Sequence, residues 1–274
     1  LITGRSKHPV AISVHPEGAD IYPADHLWGK ETFDTEDQVI QEFSLKKEGY
    51  RKPGAVVIGP AGEKQVGFAL IANDKWRCAG RAGTGAVFGS KNLKAVVFHG
   101  DKKRTWADPE GMKLYARNFS KTHVKSPGAQ AYKNMGTTMM VGLMNTVGAF
   151  PAKYWSQGTC YHWEKISGET YHREHEVKPH ACAKCFMACG RMAKIAQGRH
   201  KGLKIEGPEY ETISSLGTGC GVSDLAALTK ANYLCNEYGM DTITTGMTIA
   251  VAMEMYEKGY ISEDVIGMPL KFGD

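Results

Sequence analysis

The sequence predicts an α+β fold in which a β-rich first domain, residues 1–100, is followed by a mainly α-helical second domain, residues 101–274. Two observations support this prediction. Short β-branched runs bounded by Pro and Gly recur early in the chain, whereas apolar residues recur at helical spacing later on. The polar segment 101–111, which contains Pro109, separates the two patterns and marks the domain boundary.

The first domain is expected to contain four strands and a helix. The helix covers residues 35–49, because its apolar residues recur at helical spacing, Thr35 can cap its start and Gly49 can end it. The strands are the β-branched runs 9–14, 54–59, 66–73 and 93–100.

The second domain contains two helices with marked ends. Residues 223–239 have Ser223 at the N-cap position and Gly239 at the position that follows a helix C-terminus. Residues 241–259 form the next helix, and the turn "NEYGMD" (236–241) joins the two. With so short a turn, the two helices are expected to pack as neighbours or to cross at that corner.

Composition excludes several classes of protein. The net charge of +5, from 34 Lys and Arg against 29 Asp and Glu, is too small and too scattered to indicate a nucleic-acid partner. No run approaches the roughly 18 apolar residues of a membrane span, and no signal peptide is visible. The seven cysteines do not form a secreted disulfide framework, so a cytoplasmic protein is expected. The chain lacks an initiator Met and is expected to be a fragment.

The segment "HACAKCFMACGR" (180–191) places Cys182, Cys185 and Cys189 at C-x2-C-x3-C spacing. A short loop can direct such thiolates to one centre, and an iron–sulfur cluster is the favoured occupant. A Cys3His zinc site completed by His180 is the alternative, and three buried, unligated cysteines are a further one. A cubane needs a fourth ligand, for which the chain offers Cys160, Cys220 or Cys235, unless it lies beyond residue 274.

The segment 73–97 is rich in glycine and cations. Glycines let backbone N–H groups approach an anion, and cations neutralise it. The cations are Arg77, Arg81, Lys91 and Lys94. The segment matches neither a Walker A loop nor a Rossmann fingerprint, and a tight connecting loop is the simpler alternative.

Two further stretches carry acidic residues. In "GPEYE" (207–211), Glu209 and Glu211 are catalytic candidates if buried, although acidic residues in the first turn of a helix are favoured by its dipole alone. Asp241 ends the turn 236–241 and could simply cap the helix that follows.

Together these stretches resemble the tungsten-containing aldehyde ferredoxin oxidoreductase family. "GRAGTGAVFGSKNLKAVV" (80–97) resembles the signature near the end of the family's first domain. The family follows this signature with C-x2-C-x3-C, with G-P-E-Y-E and with a helix turn D-x-x-G-L-[CD]. The order and spacing of unrelated motifs make the resemblance specific, and it covers essentially the whole chain. Here Asn236 stands where the family usually has Asp, and Met240 replaces the usual Leu.

The resemblance implies a role for ten residues. The implied cluster ligands are Cys182, Cys185 and Cys189; the pterin-phosphate loop is Arg81, Ala82 and Gly83; the pterin-ring turn contributes Asn236 and Asp241; and Glu209 or Glu211 is an acidic residue near the metal that takes a proton in catalysis. By the same comparison the chain holds only the C-terminal half of the β-rich domain. The fourth cluster cysteine would come from a later helical domain, so the fragment is not expected to be active alone.

The resemblance further implies an enzyme that oxidises small aldehydes to carboxylates at a tungsten or molybdenum bis-pyranopterin. Electrons would leave through a [4Fe–4S] cluster to ferredoxin, and a magnesium ion would bridge the pterin phosphates. A homodimer, or a complex with an iron–sulfur subunit, is the implied assembly. Three alternatives stay open: an aromatic acyl-thioester reductase, a non-catalytic iron–sulfur electron-transfer module, and a zinc-stapled structural domain.

Overall fold

The computed structural model describes residues 1–45, 47–103 and 105–274. Position 46 of the expected helix 35–49 and position 104 of the expected boundary therefore lie outside the described residues. The chain divides into two compact units. Unit 1 comprises Leu1–Arg104 and Leu234–Asp241, and unit 2 comprises Thr105–Tyr233 and Thr242–Asp274. The turn 236–241 thus clusters with the β-rich part of the chain, from which it is distant in sequence.

Unit 1 combines a mixed sheet with short helices. Its described elements are β1 (Val10–His15), β2 (Gly18–Pro23), a 3-10 turn (Asp25–Leu27), α1 (Thr32–Phe43), β3 (Gly54–Val57), α2 (Pro60–Glu63), β4 (Ile71–Asn73), β5 (Arg77–Ala79), α3 (Thr84–Ser90) and β6 (Leu93–Phe98).

The sheet of unit 1 has the order β2-β1-β6-β3-β4-β5. β1 and β6 pair in parallel and the other neighbours are antiparallel. In register, Val96 of β6 lies opposite Ile12 of β1 and Val56 of β3. One sheet face packs against Leu27 and against Val39 of α1, both fully buried, and this apolar burial forms the core of the unit.

The predicted strands at 9–14, 54–59 and 93–100 are confirmed as β1, β3 and β6. The predicted strand 66–73 is a strand only over β4. The residues before β4 bond to the distant turn instead: the N–H of Leu70 donates to the Gly239 carbonyl at 2.9 Å, and the N–H of Asp241 donates to the Phe68 carbonyl at 3.1 Å. β2 and β5 were not predicted. The residues of β2 are almost all exposed, so no alternation of apolar and polar residues marks it.

The predicted helix 35–49 is observed as α1, which begins and ends earlier. The prediction that Thr35 is the N-cap was wrong: its hydroxyl donates to the Glu31 carbonyl at 2.6 Å from within the first turn. Glu31 occupies the N-cap position, and Ser44 is already extended. The helix therefore ends before Gly49 is reached.

Unit 2 is built from helices around a small antiparallel sheet of order β7-β8-β9, which the helical sequence pattern did not indicate. Its described helices and strands are α4 (Pro109–His123), α5 (Pro127–Met135), α6 (Met140–Thr146), α7 (Gly168–Glu174), β7 (His175–His180), β8 (Gly190–Ile195), β9 (Lys204–Glu206), α8 (Tyr210–Thr212), α9 (Leu225–Tyr238), α10 (Thr242–Glu257) and α11 (Glu263–Ile266). The C-terminal part of α9, from Leu234 onward, belongs to unit 1. The shorter turns are 3-10 at Gly136–Met139, Trp163–Ile166 and Thr218–Cys220 and π-helical at Ile213–Gly217.

The two predicted helices are confirmed as α9 and α10, each with slightly different ends. Ser223 is not the N-cap of α9: the carboxylate of Asp224 accepts from the N–H groups of Ala226 and Ala227, at 2.9 and 3.0 Å. The C-terminal prediction is confirmed, since Gly239 has φ +76° and the N–H of Met240 donates back into the last turn of the helix.

Within the described residues, no helix is both long enough and apolar enough to cross a membrane.

Candidate functional site

The three clustered cysteines lie in one loop, residues 181–189, which joins β7 to β8. The hairpin is closed at its base by the pair His180 and Gly190. Inside the loop, Lys184 and Ala188 have φ of +62° and +49°, and the N–H of Cys185 donates to the Cys182 carbonyl at 3.0 Å. The positive φ angles and this hydrogen bond make tight turns, so the loop is coiled rather than extended.

The thiols of this cysteine loop differ in exposure. Cys182 and Cys185 are exposed, and Cys189 is partly buried. Burial raises the pKa of the Cys189 thiol, and the charge of Glu209 and the other two thiols raises it further.

The cysteine loop offers three thiols, and thiolates are the ligands that hold iron–sulfur clusters. Across the described ranges, no group of three or more His, Cys, Asp or Glu side chains is arranged to hold one metal ion. Nδ1 of His180, the residue considered for zinc, lies 3.1 Å from the Glu206 carboxylate.

Cys220, one of the cysteines considered as a fourth cluster ligand, lies in apolar surroundings. That thiol is buried in an apolar cluster with Ala250 and Met253, and its Sγ lies 3.3 Å from the Gly246 carbonyl. Burial raises the pKa of Cys220 to about 12. Cys160, Cys220 and Cys235 stay candidates for a fourth ligand, as does a residue beyond position 274.

Arg191 anchors the cysteine loop to the rest of unit 2. Its side chain is 1% exposed, and its guanidinium donates to the carbonyls of Ala188 and Gly190, at 3.2 and 2.9 Å. It also donates to the carbonyls of Tyr132 and Lys133 near the end of α5, the latter at 2.7 Å. The Tyr132 carbonyl also accepts from the N–H of Gly136, so Arg191 adds a second donor at this end of α5.

Glu209 is joined to the cysteine loop through the segment Gly136–Thr137. A Cβ at Gly136 would lie 2.7 Å from the Cys189 carbonyl oxygen, so only glycine permits this contact. The next hydroxyl, that of Thr137, donates to the Glu209 carboxylate and accepts from the N–H of Tyr210 at 2.9 Å. Glu209 occupies the N-cap position of α8, but its side chain makes no capping hydrogen bond. Its carboxylate is therefore committed to Thr137 rather than to the helix.

Glu209 and Glu211 line the same cavity of about 520 Å³ in unit 2. Burial, together with the charge of Glu211, raises the pKa of Tyr210 between them. The polar lining is Tyr132, Thr137, Glu209, Tyr210, Glu211, Ser214 and Ser215, and the apolar lining is Met140, Met144, Ala149, Pro151, Trp155, Ile243 and Met247. A larger cavity of about 1050 Å³ contains none of the predicted site residues. An apolar pocket with two carboxylates at one wall can hold a small organic substrate and move a proton.

In unit 1 the structure brings together the two stretches that were assigned to a pterin. Nε of Arg81 lies 3.6 Å from the carboxylate of Asp241, with Arg81 67% exposed and Asp241 only 7% exposed. Ala82 and Gly83 both have positive φ, +82° and +68°, a conformation that costs a non-glycine residue roughly 1–3 kcal/mol. The result is a fixed loop that presents an exposed cation beside a buried acid.

Sequence reasoning missed the scaffold that holds these two stretches together. Gly67–Leu70 lies between them: the N–H of Gly85, just after the Arg81 loop, donates to the Ala69 carbonyl at 2.9 Å, and Ala69 pairs with Met240 of the turn. The carbonyl of Asn236 accepts from the Thr32 hydroxyl at 2.8 Å, which ties the turn to α1. The run 66–73 reads as a strand, so nothing in its composition marked this role.

One cation was assigned wrongly. Lys94 was expected to neutralise an anion at the glycine-rich segment, but its side chain is fully buried. It forms an ion pair with Glu63 and donates to the Lys30 carbonyl at 2.8 Å. Both oxygens of Glu63 also accept from the N–H of Gly29, at 3.0 and 2.9 Å. Lys94 is therefore part of the interior of unit 1.

Comparison with known protein families places the chain among oxidoreductases. Residues 1–100 match the N-terminal domain of aldehyde ferredoxin oxidoreductase, and residues 114–274 match domains 2 and 3 of the same protein. The chain belongs to the aldehyde ferredoxin oxidoreductase family, which confirms the resemblance seen in its motifs.

The relatives agree with this assignment. The chain is 39% identical over 278 residues to a tungsten-containing aldehyde ferredoxin oxidoreductase of Thermococcus kodakarensis, and 37% identical to that of Pyrococcus furiosus. Both matches cover 100% of this chain and 44% of the relative, so the chain spans less than half the length of these proteins. It is also 30% identical to the WOR-like subunit of an aliphatic sulfonate oxidoreductase of Pyrococcus furiosus, of which it covers 45%.

A solved structure shares the fold. The active-site complex BamBC of benzoyl coenzyme A reductase, with 1,5-dienoyl-CoA, matches with a TM-score of 0.73 at 23% identity. The match covers 95% of this chain and 40% of that one. At this identity the likeness concerns the fold alone.

Proposed function

We propose that the intact protein oxidises a small aldehyde to a carboxylate at a tungsten or molybdenum bis-pyranopterin and passes the electrons through a [4Fe–4S] cluster to ferredoxin. The observation that carries the proposal is the contact chain from the cysteine loop to Glu209. Gly136 packs against the Cys189 carbonyl, and the hydroxyl of the next residue, Thr137, donates to the Glu209 carboxylate. Glu209 and Glu211 line one cavity. The family assignment and the named functions of the relatives support it. Magnesium, a homodimer and a cytoplasmic location stay predictions.

The residues of unit 1 fit a pterin by their chemistry. Arg81 offers an exposed guanidinium, which suits a phosphate group because of its planar set of donors. Asp241 offers a buried carboxylate, which suits the N–H groups of a pterin ring, and Asn236 can accept there without a charge. When bound, the tungsten pterin and the cluster supply two-electron and one-electron chemistry respectively.

The residues of unit 2 supply the protein's share of the reaction. The apolar wall of the cavity holds the carbon chain of the aldehyde and limits the access of water. The burial expected of a catalytic glutamate is not found: Glu211 is exposed and Glu209 is half-buried. Both line the cavity, and Glu211 is assigned the role of the base that takes a proton from water or from a hydrated aldehyde. Glu209, which accepts the hydrogen bond of Thr137, is a second candidate for this role.

The composition of the purified intact protein tests the whole proposal. Elemental analysis is expected to find tungsten or molybdenum together with iron, and an added aldehyde is expected to reduce ferredoxin. Iron without either heavy metal would favour the electron-transfer module instead. Zinc as the sole metal would favour the structural domain.

Asp241→Ala in the intact protein is expected to lower the pterin and tungsten content. The loss of charge-assisted hydrogen bonds costs about 1.5–3 kcal/mol, which corresponds to roughly ten- to hundredfold weaker binding. Pterin fluorescence after acid release measures the effect. Asp241→Asn keeps a hydrogen-bond acceptor, so its pterin content should fall less. Asp37→Asn removes an exposed acid from unit 1 and should leave the pterin content unchanged. Equal pterin content in all three would remove Asp241 from the site.

Glu211→Gln is expected to lower kcat by roughly 10²- to 10⁴-fold, because that is the usual contribution of a general base. Tungsten and iron contents should stay at the wild-type level, since this side chain is assigned no ligand role. Glu209→Gln should slow turnover less than Glu211→Gln, and Glu164→Gln, which lines the other cavity, should leave it unchanged. Unchanged rates for both Glu211→Gln and Glu209→Gln would remove the carboxylates from the mechanism.

A second candidate keeps the cofactors and changes the substrate. The 30% identity to a subunit of an aliphatic sulfonate oxidoreductase supports this candidate. The aromatic acyl-thioester reductase is the other reaction that the sequence left open. Parallel assays with an aldehyde, an alkyl sulfonate and an aromatic acyl-CoA separate the three reactions. Turnover of the aldehyde alone supports the first proposal.

A further inference from the structure

Among the described residues of unit 2, Arg191 is a deeply buried cation next to the cysteine loop. Its side chain is 1% exposed, although arginine is almost never so buried unless its donors are satisfied. Four backbone carbonyls accept from its two terminal nitrogens, two from the loop side and two from the end of α5. The guanidinium is therefore rigidly placed.

The remaining donor of this guanidinium is buried and unused. Among the described residues, Nε of Arg191 has no hydrogen-bond partner. Nε lies close to the loop: a Cβ placed on Gly136 would be 3.0 Å from Nε and 2.7 Å from the Cys189 carbonyl oxygen. A buried N–H without a partner costs about 1–3 kcal/mol, so it calls for an acceptor.

The guanidinium of Arg191 is held beside a candidate cluster ligand. The carbonyls of Ala188 and Gly190, to which it donates, belong to the two residues on either side of Cys189. When a cluster is bound, Cys189 is a thiolate, and the sulfurs of the cluster are acceptors.

We propose that Arg191 is a positioning residue for the iron–sulfur cluster. Arg191 holds the C-terminal arm of the cysteine loop, and its guanidinium places a fixed positive charge beside the cluster. This inference rests on the proposed function, because it requires a cluster at Cys182, Cys185 and Cys189. A nearby cation stabilises the reduced cluster, which carries one more negative charge, and so raises its reduction potential. The two effects, retention and potential, can be measured separately.

The test uses the intact protein, purified without oxygen, with Arg191→Met and Arg191→Lys. Iron content reports retention of the cluster, and an EPR-monitored redox titration reports its midpoint potential. Arg191→Met is expected to weaken retention by roughly 10- to 100-fold, as losses of outer-shell partners of metal sites do. The cluster that remains should be harder to reduce by roughly tenfold, a shift of about 59 mV to lower potential for a one-electron couple.

Arg191→Lys separates charge from geometry. It keeps the positive charge but loses the planar fork of donors. Its cluster should be retained less well than in wild type, while its potential should shift less than in Arg191→Met. If Arg191→Met does not fold, Arg191→Lys still tests the proposal. Iron content at the wild-type level in Arg191→Lys would overturn the positioning role.

The matched control is Arg173→Met, which removes a 66% exposed arginine from the same unit. It should change neither iron content nor potential. A merely structural role for Arg191 would lower iron content without moving the potential, and that result would overturn the charge effect. A wild-type protein without any cluster would overturn the proposed function as well, whereas a normal cluster that both variants leave unchanged would overturn this inference alone.

Discussion

Replacing Cys189 with serine in the intact protein is expected to remove most of its iron. A thiolate binds iron, whereas the serine hydroxyl stays protonated and is a poor ligand for it. The loss should exceed the roughly 10- to 100-fold effect of outer-shell changes, because a ligand itself is removed. Colorimetric iron and the broad visible absorption of the cluster measure it. Aldehyde-dependent reduction of ferredoxin should fall with the cluster.

The same result is expected for Cys182→Ser and Cys185→Ser, although both thiols are exposed and contribute little to the core. Cys78→Ser is the matched control, since Cys78 is also exposed but lies outside the loop, in β5. Wild-type iron in all three loop variants would end the cluster assignment. Loss of iron in Cys160→Ser as well would identify that residue as the fourth ligand.

The cysteine loop illustrates what spacing predicts well. Three thiols at C-x2-C-x3-C spacing fall in one loop because so few residues separate the first from the last. The two strands that flank the loop, β7 and β8, were not needed for that prediction. Sequence reasoning missed Gly136, Thr137 and Arg191, because their contacts join the loop to segments distant in the chain.

The contact between Arg81 and Asp241 shows the opposite case. Nothing in composition or periodicity places these two residues together, and only the family resemblance gave both a common ligand. The structure joins them through Gly67–Leu70, which supplies hydrogen bonds to both stretches. Such long-range pairing depends on tertiary contacts, which a local pattern does not contain.

Lys94 shows why charge in a loop is weak evidence for a ligand. In the sequence it stands beside Lys91 and Arg81 in a glycine-rich, basic segment, so an anion-binding role looked natural. β6 turns its side chain into the interior, where burial lowers the pKa of the Lys94 amine and Glu63 opposes that shift. Lys91 instead stays near the surface and donates to the Gly4 carbonyl at 3.2 Å.

Lys94→Met is therefore expected to destabilise the protein by roughly 3–5 kcal/mol, because it leaves the buried Glu63 carboxylate without its counter-charge. Urea unfolding of the intact protein measures the change as a lower midpoint at an unchanged slope. Lys91→Met, a cation-to-apolar change three residues earlier, should stay within about 0.5 kcal/mol of wild type. Pterin and tungsten contents of the folded Lys94→Met protein should match the wild type, since Lys94 contacts the interior only.

The double variant Glu63→Gln/Lys94→Met distinguishes a charge effect from a packing effect. The Glu63→Gln change keeps an acceptor for the N–H of Gly29 but removes the charge, so no uncompensated ion stays buried. Stability should then recover by a large part of the loss, as replaced buried ion pairs usually do. If the double variant is as unstable as Lys94→Met, the loss of stability comes from the poor packing of the methionine, and the ion pair contributes little. If the double variant regains stability, the ion pair between Lys94 and Glu63 holds Gly29 and Lys30 against α2, in agreement with its hydrogen bonds.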